Sequence, residues 1–158
     1  MSDALIFERS AEADALVAAD DVASAMIGRT FRHHDPFHGT QFEYYAPDHT
    51  AFLWYPGNDR SVASAWSVKG QRTAEGDERQ ICFVYGPRIF NPVTQTWGGR
   101  PECEPIEKQT LFVKESVEGD VFDLESGNVP WILIGEVERT MAEYLNLHRS
   151  PLRWGRRY

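Results

Sequence analysis

The densest group of reactive side chains is Arg32-His33-His34-Asp35-Pro36-Phe37-His38, which places three of the five histidines beside a carboxylate. Imidazole nitrogens and carboxylate oxygens are the donors that zinc, iron or copper take. The spacing argues against a metal centre. His33 and His34 are adjacent and would point to opposite faces of a strand, and neither HExxH nor a comparable ligand pattern occurs. The group reads as a polar loop after a strand, closed by Gly39-Thr40, with His34 and His38 the first ligand candidates were a metal held.

General acid–base chemistry is within reach of a second group, Arg32, Glu43, Tyr44 and Tyr45. Glu43 has the opposite parity to Tyr44, so the two share a strand face only at a bulge. Glu102 and Glu104 alternate and predict a solvated face. No GxSxG, GxGxxG or P-loop is present, and Gly98-Gly99 reads as a flexible turn. No catalytic residue is assigned, and no cofactor and no metal are expected.

Aromatic residues form the third group. On strands, residues two apart share a face, so Phe42 pairs with Tyr44, Phe52 with Trp54, and Trp66 with Ser64 and Val68. A cavity lined by Phe42, Tyr44, Trp54, Trp66 and Tyr85 would suit a small hydrophobic ligand, with Arg32 or a histidine of residues 33–38 orienting a polar group at its mouth. The same rings could instead fill a solid core.

These side chains need elements to hold them. Leu16, Ala19, Ala23, Met26 and Ile27 recur at helical spacing, so a helix is predicted over Ser10–Ile27, capped by Ser10 and stopped by Gly28. Beyond it, β-branched and aromatic runs alternate with turns such as Pro47-Asp48-His49-Thr50 and Pro56-Gly57-Asn58-Asp59. Strands are predicted at Arg29–His33, Gln41–Ala46, Ala51–Tyr55, Val62–Val68, Gln80–Tyr85, Glu102–Lys108, Thr110–Glu115 and Asp120–Leu124. Residues 88–101 lack a period and could lie over a barrel mouth. A second helix is predicted near Glu136–Leu147, with Val137, Met141, Tyr144 and Leu145 inward. Such a succession of short strands predicts an antiparallel meander, closed into a barrel or folded as a sandwich.

Composition narrows the classes. The 158 residues fit one domain, and 24 Asp+Glu against 16 Lys+Arg leave a formal net charge of −8, which opposes nucleic-acid binding. With 42% hydrophobic and 25% charged residues the chain is too apolar for disorder and too charged for a membrane span. The last eleven residues carry Arg149, Arg153, Arg156 and Arg157 and no acid, with Trp154 and Tyr158 available for stacking. Such an end is either a partner-binding tail or a segment lying on the acidic body. Cys82 and Cys103 could bridge if their strands are adjacent; with no export signal read at the start, two reduced cytoplasmic thiols are the expectation.

Several short motifs are similar to those of a family. Met26-Ile27-Gly28-Arg29-Thr30, then Phe42 to Thr50 (FEYYAPDHT), then Trp66-Ser67-Val68, then Ile81-Cys82-Phe83-Val84-Tyr85 and a later Cys103 resemble small lipocalin-like bacterial proteins of unknown function. The resemblance spans about residues 26–105. His49 and Ala65 stand where that group usually has glycine, and no export signal of the kind common there is read at the start. The resemblance implies a calycin-type barrel and brings no catalytic residues.

The resulting expectation is a mainly β, antiparallel lipocalin-like barrel of about eight strands with an N-terminal and a C-terminal helix. It forms a single domain over 1–158: a helical segment at 1–27, the barrel at 29–134, and a helix with a basic tail at 135–158. The expected function is binding of a small apolar or aromatic ligand in the barrel, in the cytoplasm, with no nucleic-acid or membrane partner and a homodimer left open. The alternatives are a cofactor-free decarboxylase, isomerase or cyclase using Tyr44 or Tyr45 with Glu43 and Arg88, and a protein–protein interaction module.

Overall fold

Alternating side chains build a sheet of seven antiparallel strands in the computed structural model, which describes residues 8–91, 95–134 and 137–149. Two short helices come first, α1 (Ala11–Ala18) and α2 (Val22–Met26). The strands β1 (Arg29–Asp35), β2 (Gly39–Tyr45), β3 (Thr50–Trp54) and β4 (Val62–Lys69) follow as a meander. A small hairpin, β5 (Arg72–Thr73) and β6 (Gly76–Asp77), precedes β7 (Gln80–Tyr85); another, β8 (Phe90–Asn91) and β9 (Thr96–Trp97), precedes β10 (Pro101–Pro105). One turn of helix, α3 (Ile106–Gln109), leads to β11 (Val113–Glu118), and α4 (Met141–Arg149) closes the described chain.

The strand order is β10-β7-β4-β3-β2-β1-β11, and the sheet curls into a half-barrel. The closed barrel of about eight strands is not what the described residues form, because β10 and β11 are not paired with each other. Pro101 and Pro105 at the two ends of β10 lack the N–H groups that a further strand would need. On β11, the Val113 carbonyl accepts a hydrogen bond from the Ser10 hydroxyl (2.5 Å), so α1 occupies part of that edge.

Three predicted elements end differently. The single helix over Ser10–Ile27 is two. The carbonyls of Val17, in the last turn of α1, and of Ala19, just beyond it, accept from the guanidiniums of Arg72 and Arg79, and the Asp21 carboxylate caps α2 at the Ser24 N–H. The strand predicted over Glu102–Lys108 stops at Pro105, beyond which α3 begins. The strand predicted over Asp120–Leu124 is a turn and a 3-10 helix (Leu124–Ser126). The Asp120 carboxylate accepts from the backbone N–H of Leu124 and Glu125 and so offers those amides a local partner. Gly98-Gly99 is more than a flexible turn, since a Cβ at Gly98 would lie 2.0 Å from the Gly86 carbonyl oxygen. The helix predicted from Glu136 starts at Met141; positions 135 and 136, and the tail with Arg153, Trp154, Arg156, Arg157 and Tyr158, lie outside the described residues.

Each sheet face carries its own core. On the face we call inner, α1 and α2 bring Ala13, Leu16, Val22 and Met26 against Phe31, Tyr45, Trp66, Ile81 and Phe83. On the outer face, Met141 and Tyr144 of α4, with Phe122, Leu124 and Leu133, cover Phe42, Tyr44 and Trp54. The two expected helical ends therefore do flank the sheet, one on each side. Cys82 and Cys103 are register partners on β7 and β10 and form a disulfide, which replaces the expected pair of reduced thiols.

Candidate functional site

Register determines which polar groups meet on the inner face. One row of paired positions is Phe31, Glu43, Leu53 and Val62, and the next is Tyr45, Ala51, Ser64 and Tyr85. His33 lies beside Gln41 in the row before them, and Trp66 beside Phe83 in the row after. The helices seal part of this face with apolar side chains. Elsewhere on it the sheet supplies a carboxylic acid, phenols, a serine, an indole and an imidazole.

Glu43 is at the centre of this group. Its side chain is buried, at 5% exposure, and its Oε1 accepts a hydrogen bond of 2.7 Å from the Tyr45 hydroxyl. Its Oε2 has no hydrogen-bond partner among the described residues, and neither do His33 Nε2, Ser64 Oγ and Trp66 Nε1, all buried on the same face. Buried polar atoms are nearly always satisfied, and an orphaned one costs about 1–3 kcal/mol. Four such atoms share this one face, and each calls for a hydrogen bond from ordered water or a bound molecule. Gln41, Leu53, Val62 and Tyr85 around them are half-buried, so this part of the inner face reaches solvent.

The electrostatics follow from burial. Desolvation pushes the Glu43 carboxyl up from 4.5 to about 7, against the smaller opposing effect of the Tyr45 hydrogen bond. Tyr45 is held far above the usual phenol range by burial and by the neighbouring Glu43. Tyr85 is raised by burial, then by Glu43 and Glu102. His33 is lowered from 6.5 to about 4, chiefly by burial. Near neutral pH the face therefore holds an uncharged imidazole, intact phenols and a carboxyl poised to give or take a proton.

Rings enclose these groups. Tyr45 meets Trp66 edge-on at 5.1 Å, Phe31 edge-on at 5.5 Å and Phe83 at 6.3 Å, and Phe83 stacks on Tyr85 at 6.4 Å. His49 stacks on Trp66 from the β2–β3 turn, at 4.6 Å. It does so with a left-handed backbone (φ 65), a conformation that favours glycine.

The six residues expected to bind ligand separate onto two faces. Trp66 and Tyr85 belong to the inner group, joined by His33 of the histidine loop. Phe42, Tyr44 and Trp54 lie on the outer face, where Phe42 stacks on Trp54 at 5.0 Å and meets Phe122 and Tyr144, each at 4.9 Å. The Trp54 indole N–H donates to the Trp131 carbonyl at 2.9 Å. Arg32 also lies outside, bonded to Glu115 at 2.6 Å and to Glu138 at 2.7 Å, where it ties the C-terminal segment to the sheet. Asp35 accepts from the backbone N–H groups of Phe37 and His38 and from the His38 imidazole, while His34 bonds to Thr40. The expected polar loop is therefore mostly strand: Arg32 to Asp35 belong to β1, and only residues 36–38 form the turn to β2. Arg88, expected beside Glu43 in the enzymatic alternative, is exposed.

The sequence groups Glu43 with Tyr45 only as candidate acid–base residues and Ser64 only as a face-mate of Trp66; that the three share one face follows from the strand register. Their parity was legible: Glu43 shares it with Tyr45, and Ser64 with Trp66. An acid at an inward position flanked by aromatic residues was the available sign. Comparison with protein families, with curated proteins and with solved structures finds no match.

Proposed function

We propose that the inner face is the binding site for a small apolar or aromatic molecule carrying a polar group, and that the chain works as a lipocalin-like cup. The observation that carries this reading is the set of four buried, unpartnered polar atoms on Glu43, His33, Ser64 and Trp66, beside the ring wall of Tyr45, Phe83 and Tyr85. A ligand seated beside Glu43 exchanges ring contacts with the wall and gives the orphaned Glu43 Oε2 its hydrogen bond. Phe42, Tyr44 and Trp54 contribute from behind, stiffening β2 and β3 through the outer core. The partner is a small molecule; the acidic balance of the chain speaks against nucleic acid. No helix among the described residues is long and apolar enough to cross a membrane.

The cytoplasmic placement expected from the sequence requires the Cys82–Cys103 bridge to be open there, because that compartment keeps thiols reduced. Counting free thiols on protein taken directly from its cells decides between bridge and thiols. The function itself is tested by native mass spectrometry of protein purified from its own host, followed by the same measurement after denaturation. A mass excess that disappears on denaturation, and that is diminished in Glu43→Gln and Ser64→Val variants, is expected. An excess unchanged by both variants but lost in a Trp54 variant would place binding on the outer face and overturn the reading.

A further inference from the structure

We propose that the molecule bound on the inner face is an organic cation, a protonated amine or amidine on an aromatic or apolar frame. This rests on the binding reading above and adds the chemical class of the ligand. The first support is the isolation of Glu43. Its Oε2 is buried and unpartnered, and the influences on the carboxyl are burial and the Tyr45 hydroxyl. The groups that act on it or share its face are Tyr45 of β2, bonded to it, Tyr85 of β7, and farther off in register His33 of β1 and Ser64 of β4, all uncharged near neutral pH, with Glu102 of β10 acting on Tyr85. Arg29, the guanidinium one row away in register, is turned to the Ser116 hydroxyl at 3.0 Å, and Ser116 in turn bonds to Glu12.

The second support is the ring wall. Tyr45, bonded to Glu43, packs edge-on against Trp66 and beside Phe83, which stacks on the half-buried Tyr85, and electron-rich ring faces attract ammonium and guanidinium groups. An anion here would meet a carboxyl and ring faces with no counter-charge. A neutral ligand would leave the carboxyl protonated. A cation gains both the ion pair and the rings, and the Trp66 indole N–H remains to donate to an acceptor atom on the ligand frame. The exchange balances: the Glu43 carboxylic acid releases its proton to solvent, and the resulting carboxylate pairs with the ligand's ammonium, which keeps its own protons.

The test compares 2-phenylethylamine, its neutral counterpart 2-phenylethanol and the anion phenylacetate, by isothermal titration calorimetry on the full chain. Titration in two buffers of different ionisation enthalpy near pH 6 counts protons. The amine is expected to bind at least tenfold tighter than the alcohol, with nearly one proton released per amine bound and none with the alcohol. Glu43→Gln should abolish both the preference and the release. The proton count is read on the unaltered protein and stands even if that variant folds poorly. Equal or tighter binding of the alcohol or of phenylacetate, or amine binding without proton release, would overturn the cationic class and leave the site intact. Failure of all three to bind at millimolar concentration would overturn both readings.

Discussion

Replacing Glu43 by Gln should change how stability depends on pH, with a sign that follows from the structure. Gln keeps the shape and an oxygen for the Tyr45 hydroxyl, and removes the titration. In the unfolded chain the Glu43 carboxyl loses its proton near 4.5; in the folded protein burial delays this to about 7. Between those values the folded state binds one proton more than the unfolded state, so stability falls as pH rises. The contribution is fully present below 4.5, is lost as pH rises through 7, and amounts to about 3 kcal/mol.

His33 acts in the opposite direction. Its folded value is lowered from 6.5 to about 4, so its contribution is present above 6.5 and lost as pH falls through 4. The two slopes nearly cancel between 4.5 and 6.5 in the native chain, which would hide the effect in a single pH profile. The difference between the native protein and the variant isolates Glu43. Urea unfolding of both at a series of values from about pH 4 to about pH 8 should show the variant gaining about 3 kcal/mol relative to the native chain. A flat difference, or a variant that loses ground as pH rises, would mean that the carboxyl is solvated or paired with a cation, and would refute the description of the site.

Reducing the Cys82–Cys103 bridge opens a loop with a sequence separation of 21 and should cost about 3 kcal/mol, read as a shift in the urea midpoint with and without reductant. At position 49 the left-handed backbone should make His49→Ala less stable than His49→Gly by about 1 kcal/mol; equal stabilities would deny the strain assigned to that turn. Arg79→Met removes donors to the Val17 and Ala19 carbonyls and a 2.7 Å ion pair with Asp77. It should destabilise by about 2 kcal/mol, with hydrogen exchange quickening first in α1 and α2. Uniform exchange across helices and strands would contradict that local role.

Much of the sheet was legible because its strands keep a strict alternation. Val62 to Val68 and Gln80 to Tyr85 could be read at nearly their observed bounds, and the opposite parity of Glu43 and Tyr44 correctly predicted that they face apart. Legibility failed where a short acidic side chain competes with the backbone ladder. Asp120 turns a plausible strand into a capped turn, and Asp21 divides a plausible helix. It failed again at long range. Phe42 and Trp54 have the spacing of pocket-lining residues, and only the return of Phe122 and Tyr144 onto the same face shows them to be packed core. The polar group of the inner face depends on the register of four strands, and no local pattern encodes that register.

The central claim is that ligand meets the inner face through orphaned polar atoms, and the two buried tryptophans on opposite faces report on it directly. The Trp66 indole N–H has no partner among the described residues, whereas that of Trp54 is bonded to the Trp131 carbonyl. In a 15N-labelled sample titrated with 4-methoxyphenethylamine, whose ether oxygen can accept from an indole, the Trp66 indole resonance should move with saturation while the Trp54 resonance stays in place. Movement of Trp54 with Trp66 unmoved would contradict the account.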